Sequence, residues 1–144
     1  MSPLPIRRLA LVPLGFLLLG ACKKEKIDKK PADLRGTWQL DKQTIKTTDA
    51  QGSSQELTEV LTGYRNHLEI TDTAWAFTNT TGFREPYSYT RPTDSTVITR
   101  HNAGGQVVYR PYSLIELREH SLTTRLSYEV GAGGRTTIKS TYSR

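Results

Sequence analysis

A single cysteine, Cys22, stands among 144 residues, so no disulfide can form within the chain. Aromatic residues make up only 8% and methionine occurs once. No apolar run is long enough to cross a bilayer: the longest, Leu9 to Leu19, has eleven residues where about 20 are needed. Thirteen apolar side chains fall in the first 21 residues, which leaves the rest about 31% apolar, against about 45–50% in ordinary globular domains. A large dry core and a polytopic membrane protein are therefore both excluded. The length allows one domain, not two.

Charge of one sign is also scarce. The net charge of +6 divides into +2 from Arg7 and Arg8, +2 from residues 22–34 and +2 from residues 35–144. Arg84, Arg91, Arg100, Arg110, Arg125 and Arg135 are spaced along the last segment with acids and threonines between them. A nucleic-acid binder gathers its basic charge on one face, so no nucleic-acid partner is expected.

What is present begins with a targeting pattern. Arg7 and Arg8 precede the short apolar run, which contains Pro13 and Gly15, and small residues follow in Leu19-Gly20-Ala21-Cys22. A positive end, a short apolar middle and small residues before a cut describe a secretory signal. Leu19-Gly20-Ala21-Cys22 resembles the bacterial lipobox, and the resemblance implies that Cys22 carries a diacylglyceryl lipid and begins the mature chain. Each buried lipid methylene contributes about 0.8 kcal/mol, and two or more chains give stable attachment. The expected partner of Cys22 is thus a membrane, the outer membrane of the bacterial cell envelope. Residues 1–21 read as the signal peptide, 22–34 as a charged tether and 35–144 as the folded domain. The tether lysines either lift the domain from the surface or touch anionic headgroups at about 1 kcal/mol each; the acids Glu25 and Asp28 among them favour the spacer.

The folded domain alternates. Leu122, Leu126, Tyr128 and Val130 share one face while Thr123, Arg125, Ser127 and Glu129 share the other, the period of a half-buried strand. Glycines at 131, 133 and 134 then turn the chain into a second run with Ile138, Ser140 and Tyr142 on one side. The same rhythm places strands at Trp38 and Leu40, at Leu68 and Ile70, at Trp75 and Phe77, at Tyr87 and Tyr89, at Val97 and Ile98, and from Gln106 to Leu117, with Pro111 bending the last or placing it at an edge. Eight strands at roughly ten-residue spacing, joined by short loops, predict an up-and-down all-β barrel or sandwich. One segment differs. Ser53 is followed three residues later by Glu56, as in a capping box, and Leu57, Val60 and Leu61 repeat at helical spacing before Gly63. A short helix between the first and second strands is expected.

Leu34-Arg35-Gly36-Thr37-Trp38-Gln39-Leu40 and the closing Tyr142-Ser143-Arg144 resemble the Gly-x-Trp opening and Tyr-x-Arg close of bacterial lipocalin-like lipoproteins. The resemblance covers about residues 34–144. It implies an eight-stranded antiparallel lipocalin-like β-barrel in which Arg144 stacks over Trp38 beside Gly36. Read without it, Trp38 is ordinary core and Arg144 a frayed terminus.

Catalytic chemistry has no pattern to rest on. His67, His101 and His120 lack a second ligand at metal spacing and read as surface residues. No Gly-x-Ser-x-Gly elbow occurs, and the glycine clusters precede no helix that would cradle a phosphate. No catalytic residue, metal or cofactor is expected. An eight-stranded barrel either holds one small ligand or fills with side chains. Trp75, Phe77, Tyr87, Tyr89, Tyr109, Tyr112 and Tyr128 are the candidates to line that interior, with Arg91, Arg110 or Arg125 meeting an anion. The expected function is non-catalytic binding of a small hydrophobic or amphiphilic ligand. The alternative is an envelope protein-interaction or inhibitor module with a filled barrel and an active loop at 82–87.

Overall fold

The alternating segments take up extended backbone in the computed structural model, which describes residues 32–61, 63 and 65–144. Its strands are β1 (Gly36–Thr48), β2 (Ser54–Val60), β3 (His67–Ile70), β4 (Ala74–Thr78), β5 (Arg84–Thr93), β6 (Thr96–Ala103), β7 (Gln106–Leu117), β8 (Ser121–Val130) and β9 (Gly134–Ser143). The expected signal peptide, Cys22 and the expected tether as far as residue 31 lie outside the described residues.

Every pairing is antiparallel, and the order follows the chain from β3 to β9. β9 returns to β1 over Gln39–Ser143 through Thr48–Arg135, which closes the sheet. The result is an eight-stranded barrel of β1 and β3 to β9, with β2 as an additional strand. Closure leaves no free edge in the barrel wall along those paired stretches. Bulges at Asp41 in β1, between Thr90 and Thr93 in β5, and at Ile115 in β7 supply local twist and bend.

The expected helix is a strand. Asp49 makes the turn: its carboxylate accepts from the backbone N–H groups of Gln51 at 3.0 Å and Ser53 at 2.8 Å. Gly52, at φ +88°, completes it. β1 therefore runs on to Thr48, and its β-branched stretch Thr44-Ile45 and Thr47-Thr48 offers Ser54–Val60 a ladder of seven pairs. Threonine 44 meets Thr58 and Thr48 meets Ser54 through their hydroxyls, at 3.0 and 2.8 Å. Helix propensity is a weak preference that tertiary pairing overrides. Among the described residues there is no helix.

β2 and β3 lie end to end along the same edge of β1, which pairs β3 over Gly36–Gln39 and β2 over Lys42–Thr48. Leu61, after β2, and Asn66, before β3, flank Leu40 and the bulged Asp41: Leu61 N–H donates to the Asp41 carbonyl at 2.6 Å and Leu40 N–H to the Asn66 carbonyl at 2.9 Å. β4 ends at Thr78 and pairs only with β3 and β5. Among the described residues β2 consequently has no neighbour on its far side, and all seven of its residues are exposed. The barrel is closed at the β3 end and parted at the β2 end.

Pro111 does not break β7, and it stands at a local edge on the β8 side. β7 pairs β6 over Gln106–Ser113 and pairs β8 only from Tyr112 onward. Pro111, with no N–H to donate, stands where the β7–β8 ladder stops. Within the barrel Trp38, Leu68, Trp75, Val97 and Leu122 have no exposed surface. Full burial of each such side chain stabilises by about 1.5–3 kcal/mol.

Candidate ligand-binding site

The closed end is built by the residues around Trp38. The incoming chain crosses the barrel floor at Leu34, which is buried, and the Trp38 indole N–H donates to its carbonyl at 2.8 Å. Arg144 comes from just beyond β9 and lies over the same indole, its guanidinium carbon 4.1 Å from the ring centroid. The guanidinium also donates to the carbonyls of Glu119 at 2.6 Å and Arg35 at 2.7 Å. Gly36 adopts φ +134°, and a Cβ there would meet Arg144 Nη1 at 3.0 Å. Only glycine accepts both the dihedral and the approach. Outside, Arg35 joins Asp33 at 2.6 Å and Asp72 at 2.9 Å, and the Arg35 hydrogen bonds hold the Asp33 carboxyl well below the usual carboxylate range. This end is a plug.

The interior above the plug is aromatic. Trp75 meets Tyr112 at 5.3 Å between ring centroids, Tyr89 at 6.1 Å and Phe77 at 6.4 Å, and Phe77 meets Tyr87 at 6.3 Å. The Tyr89 hydroxyl donates to the Thr71 carbonyl at 2.7 Å. Trp75, Tyr89 and Tyr112 thus fill the middle of the barrel, whereas Phe77 and Tyr87 stand at the upper edge of that packing. Tyr128 lies higher still, on the inward row of β8 and 44% exposed at the parted end. Tyr109 does not join the set. It points outward opposite Arg100 and is 63% exposed, because alternation along β7 turns Arg110 and Tyr112 inward and their odd-numbered neighbour out.

At the parted end the side chains leave space. A cavity of about 160 Å³ is lined on the apolar side by Leu40, Phe77, Leu126 and Ile138, and on the polar side by Gln43, Arg110, Thr124 and Ser140, with Tyr112 and Tyr142 below. A second space of about 200 Å³ shares Leu40, Phe77 and Tyr142 and opens sideways past Asn66, Phe83 and Glu85. Gln43 donates to the Ser140 hydroxyl at 3.2 Å. The three arginines that the sequence offered are sorted by the barrel. Arg91 reaches the Asp94 carbonyl at 2.9 Å, Arg125 is on the outer wall, and Arg110 alone of them lines the interior. Among the described residues Arg110 forms no ion pair.

Electrostatics at this end are mixed. Burial, and after it the adjacent Glu85 carboxylate, pushes the Tyr87 hydroxyl upward, while the Arg110 guanidinium works the other way. Burial also raises Tyr112 against the pull of Arg110. The His101 ring packs on Tyr87 at 4.7 Å, with Nδ1 buried and unpaired. His101 was expected at the surface; it shares the inward parity of Val97 and Thr99 on β6, and that parity was its legible signal. Gln43, Glu85 and Thr124 were not singled out by sequence, and Ser140 was placed only on a strand face with Ile138 and Tyr142, since polar residues on an inward row gain meaning only when the rows face one another. Among the described residues no group of three His, Cys, Asp or Glu side chains gathers as a metal ion would need.

No protein-family model, curated protein or solved structure matches the chain.

Proposed function

We propose that this chain is a lipoprotein of the bacterial envelope, held to the membrane by a lipid on Cys22, whose lipocalin-like barrel binds a small amphiphile at its parted end without catalysis. The ligand's anionic head meets Arg110, and its short apolar tail lies among Phe77, Leu126 and Ile138. The observation that carries the reading is Arg110 itself: an exposed cation on the inward row, without an ion pair among the described residues, beside a cavity that Leu40, Phe77, Leu126 and Ile138 line on one side. A guanidinium presents paired N–H donors that fit a carboxylate bidentately. Both spaces are smaller than the about 300–1,000 Å³ of drug-sized pockets, which limits the ligand to a short chain.

The test is isothermal titration of the chain beginning at Lys23 with octanoate and with 1-octanol, which differ in the head alone. Octanoate binds more tightly than octanol, and Arg110→Gln removes that preference while leaving the circular dichroism spectrum unchanged. Equal affinity for the two, or an Arg110→Gln protein that keeps the preference, defeats the assignment of Arg110. Failure of every short-chain amphiphile to bind, with none copurifying by mass spectrometry, defeats the carrier reading.

A second reading, a protein-interaction module, is favoured by β2. Its outer edge is unpaired among the described residues, and Leu57 and Val60 are 57% and 69% exposed on opposite faces of the β1–β2 ribbon, with Phe83 exposed in the β4–β5 turn. Capture of a single envelope protein that is lost when the ribbon is shortened would establish it over the carrier reading.

A further inference from the structure

The outer wall of the barrel carries a second concave site. Where β7 parts from β8 at Pro111, the outward side chains of Ser113, Arg125, Ser127, Arg135 and Thr137 line a groove of about 460 Å³. The register surrounds Thr137 with cations. Lys46 of β1 lies directly opposite it. Arg135 and Lys139 stand two residues away on either side along β9, and Arg125 is paired across the ladder with Lys139. Like charges directly opposite one another destabilise a sheet, and Arg125–Lys139 is such a pair, so an anion over it relieves the repulsion. Glu129 is opposite Arg135 and Glu56 is opposite Lys46, yet among the described residues none of the four cations forms an ion pair. Hydroxyls make the floor, with Ser127 and Thr137 bonded to each other at 3.0 Å. Guanidinium forks with hydroxyl donors beside them suit the oxygens of a phosphate.

We infer that this face docks on the phosphate headgroups of an anionic bilayer, with one phosphate between Arg125 and Arg135. The reach of the charge selects the occupant. Lys46 and Lys42 carry the positive face across β9 onto β1, further than one small anion can touch, whereas a lipid surface meets all of these cations together. Attraction to such a surface grows with each basic side chain and fades within a Debye length as salt rises. The site is separate from the interior cavity, which lies on the other side of the same strands.

The chain beginning at Lys23 retains every strand pairing and lacks Cys22, so its binding is independent of lipidation. It cosediments with phosphatidylcholine vesicles containing phosphatidylglycerol, and not with phosphatidylcholine alone. Arg125→Gln combined with Arg135→Gln weakens the partition about 25-fold, and the corresponding lysine pair restores most of it. The same drop persists when Lys23, Lys24, Lys26, Lys29 and Lys30 are neutralised, which separates the wall from the tether. Unchanged partition of the double glutamine variant overturns the inference. So does loss of vesicle binding to millimolar inorganic phosphate at constant ionic strength, the mark of a free-anion site, and so does tighter retention on duplex DNA than on vesicles.

Discussion

Arg144 and Trp38, at opposite ends of the folded domain's sequence, are stacked at the barrel floor with the guanidinium carbon 4.1 Å from the indole centroid. The contact joins the strand that opens the sheet to the residue that follows the last one. Arg144→Ala removes the cation–π contact, worth about 0.5–2 kcal/mol, and two hydrogen bonds to backbone carbonyls. We expect a loss of about 2–4 kcal/mol in urea unfolding. Arg144→Lys recovers less than half of it, because an ammonium cannot span Glu119 and Arg35 while lying flat on the ring. A loss below 0.5 kcal/mol would show the stack to be incidental.

Gly36 is coupled to the same pair. Alanine there is strained at φ +134° and places Cβ 3.0 Å from Arg144 Nη1. Gly36→Ala destabilises by about 1–3 kcal/mol. Part of that is the encounter with Arg144, so the two substitutions together cost less than their sum, as a double-mutant cycle will read.

Burial holds the Tyr142 hydroxyl neutral by pushing its pKa upward. A group raised in the folded state stabilises fully below its unfolded value, about 10 for tyrosine, and that contribution is lost as pH rises towards the folded value. Stability therefore falls above about pH 10. Tyr142→Phe makes the fall shallower, though not flat, since Tyr87, Tyr89 and Tyr112 are raised by burial as well. Urea midpoints across the alkaline range check this; parallel curves for the two proteins would refute it.

β2 lies outside the barrel wall, and its side chains should be tolerant. Leu57→Asp changes unfolding free energy by less than about 0.5 kcal/mol, whereas Leu122→Ala, at a fully buried position, costs about 2–5 kcal/mol. A large effect of Leu57→Asp in urea unfolding would place β2 against a partner.

Much of the barrel was legible along the chain. Alternation at Leu122 to Val130 and at Trp75 and Phe77 is a local property, because successive side chains of an extended backbone point to opposite faces whatever the strand meets. The same parity separates Tyr109 from Arg110 and Tyr112, yet all three were expected at the interior, and only the paired register turned Tyr109 out. Residues 54–60 misled for the converse reason. Their polar strand is exposed on both faces, so it carries no alternating stripe, and the helical spacing of Leu57, Val60 and Leu61 was free to dominate. Only the pairing partner, β1 beyond its bulge, resolves the two.

The sequence by itself determined the chain's period, its turns and the uneven spread of its apolar residues, since each of these depends on neighbours a few positions apart. Tertiary structure alone decided which charges meet. Arginines 125 and 135 and lysines 46 and 139 are scattered along the chain, and the linear spacing read as dispersal. Closing β9 onto β1 brings them to one outer face. The closure likewise turns Arg110 inward and Arg125 outward on the same wall, because in a barrel the strand register, and not distance along the chain, sets the neighbours of a charge.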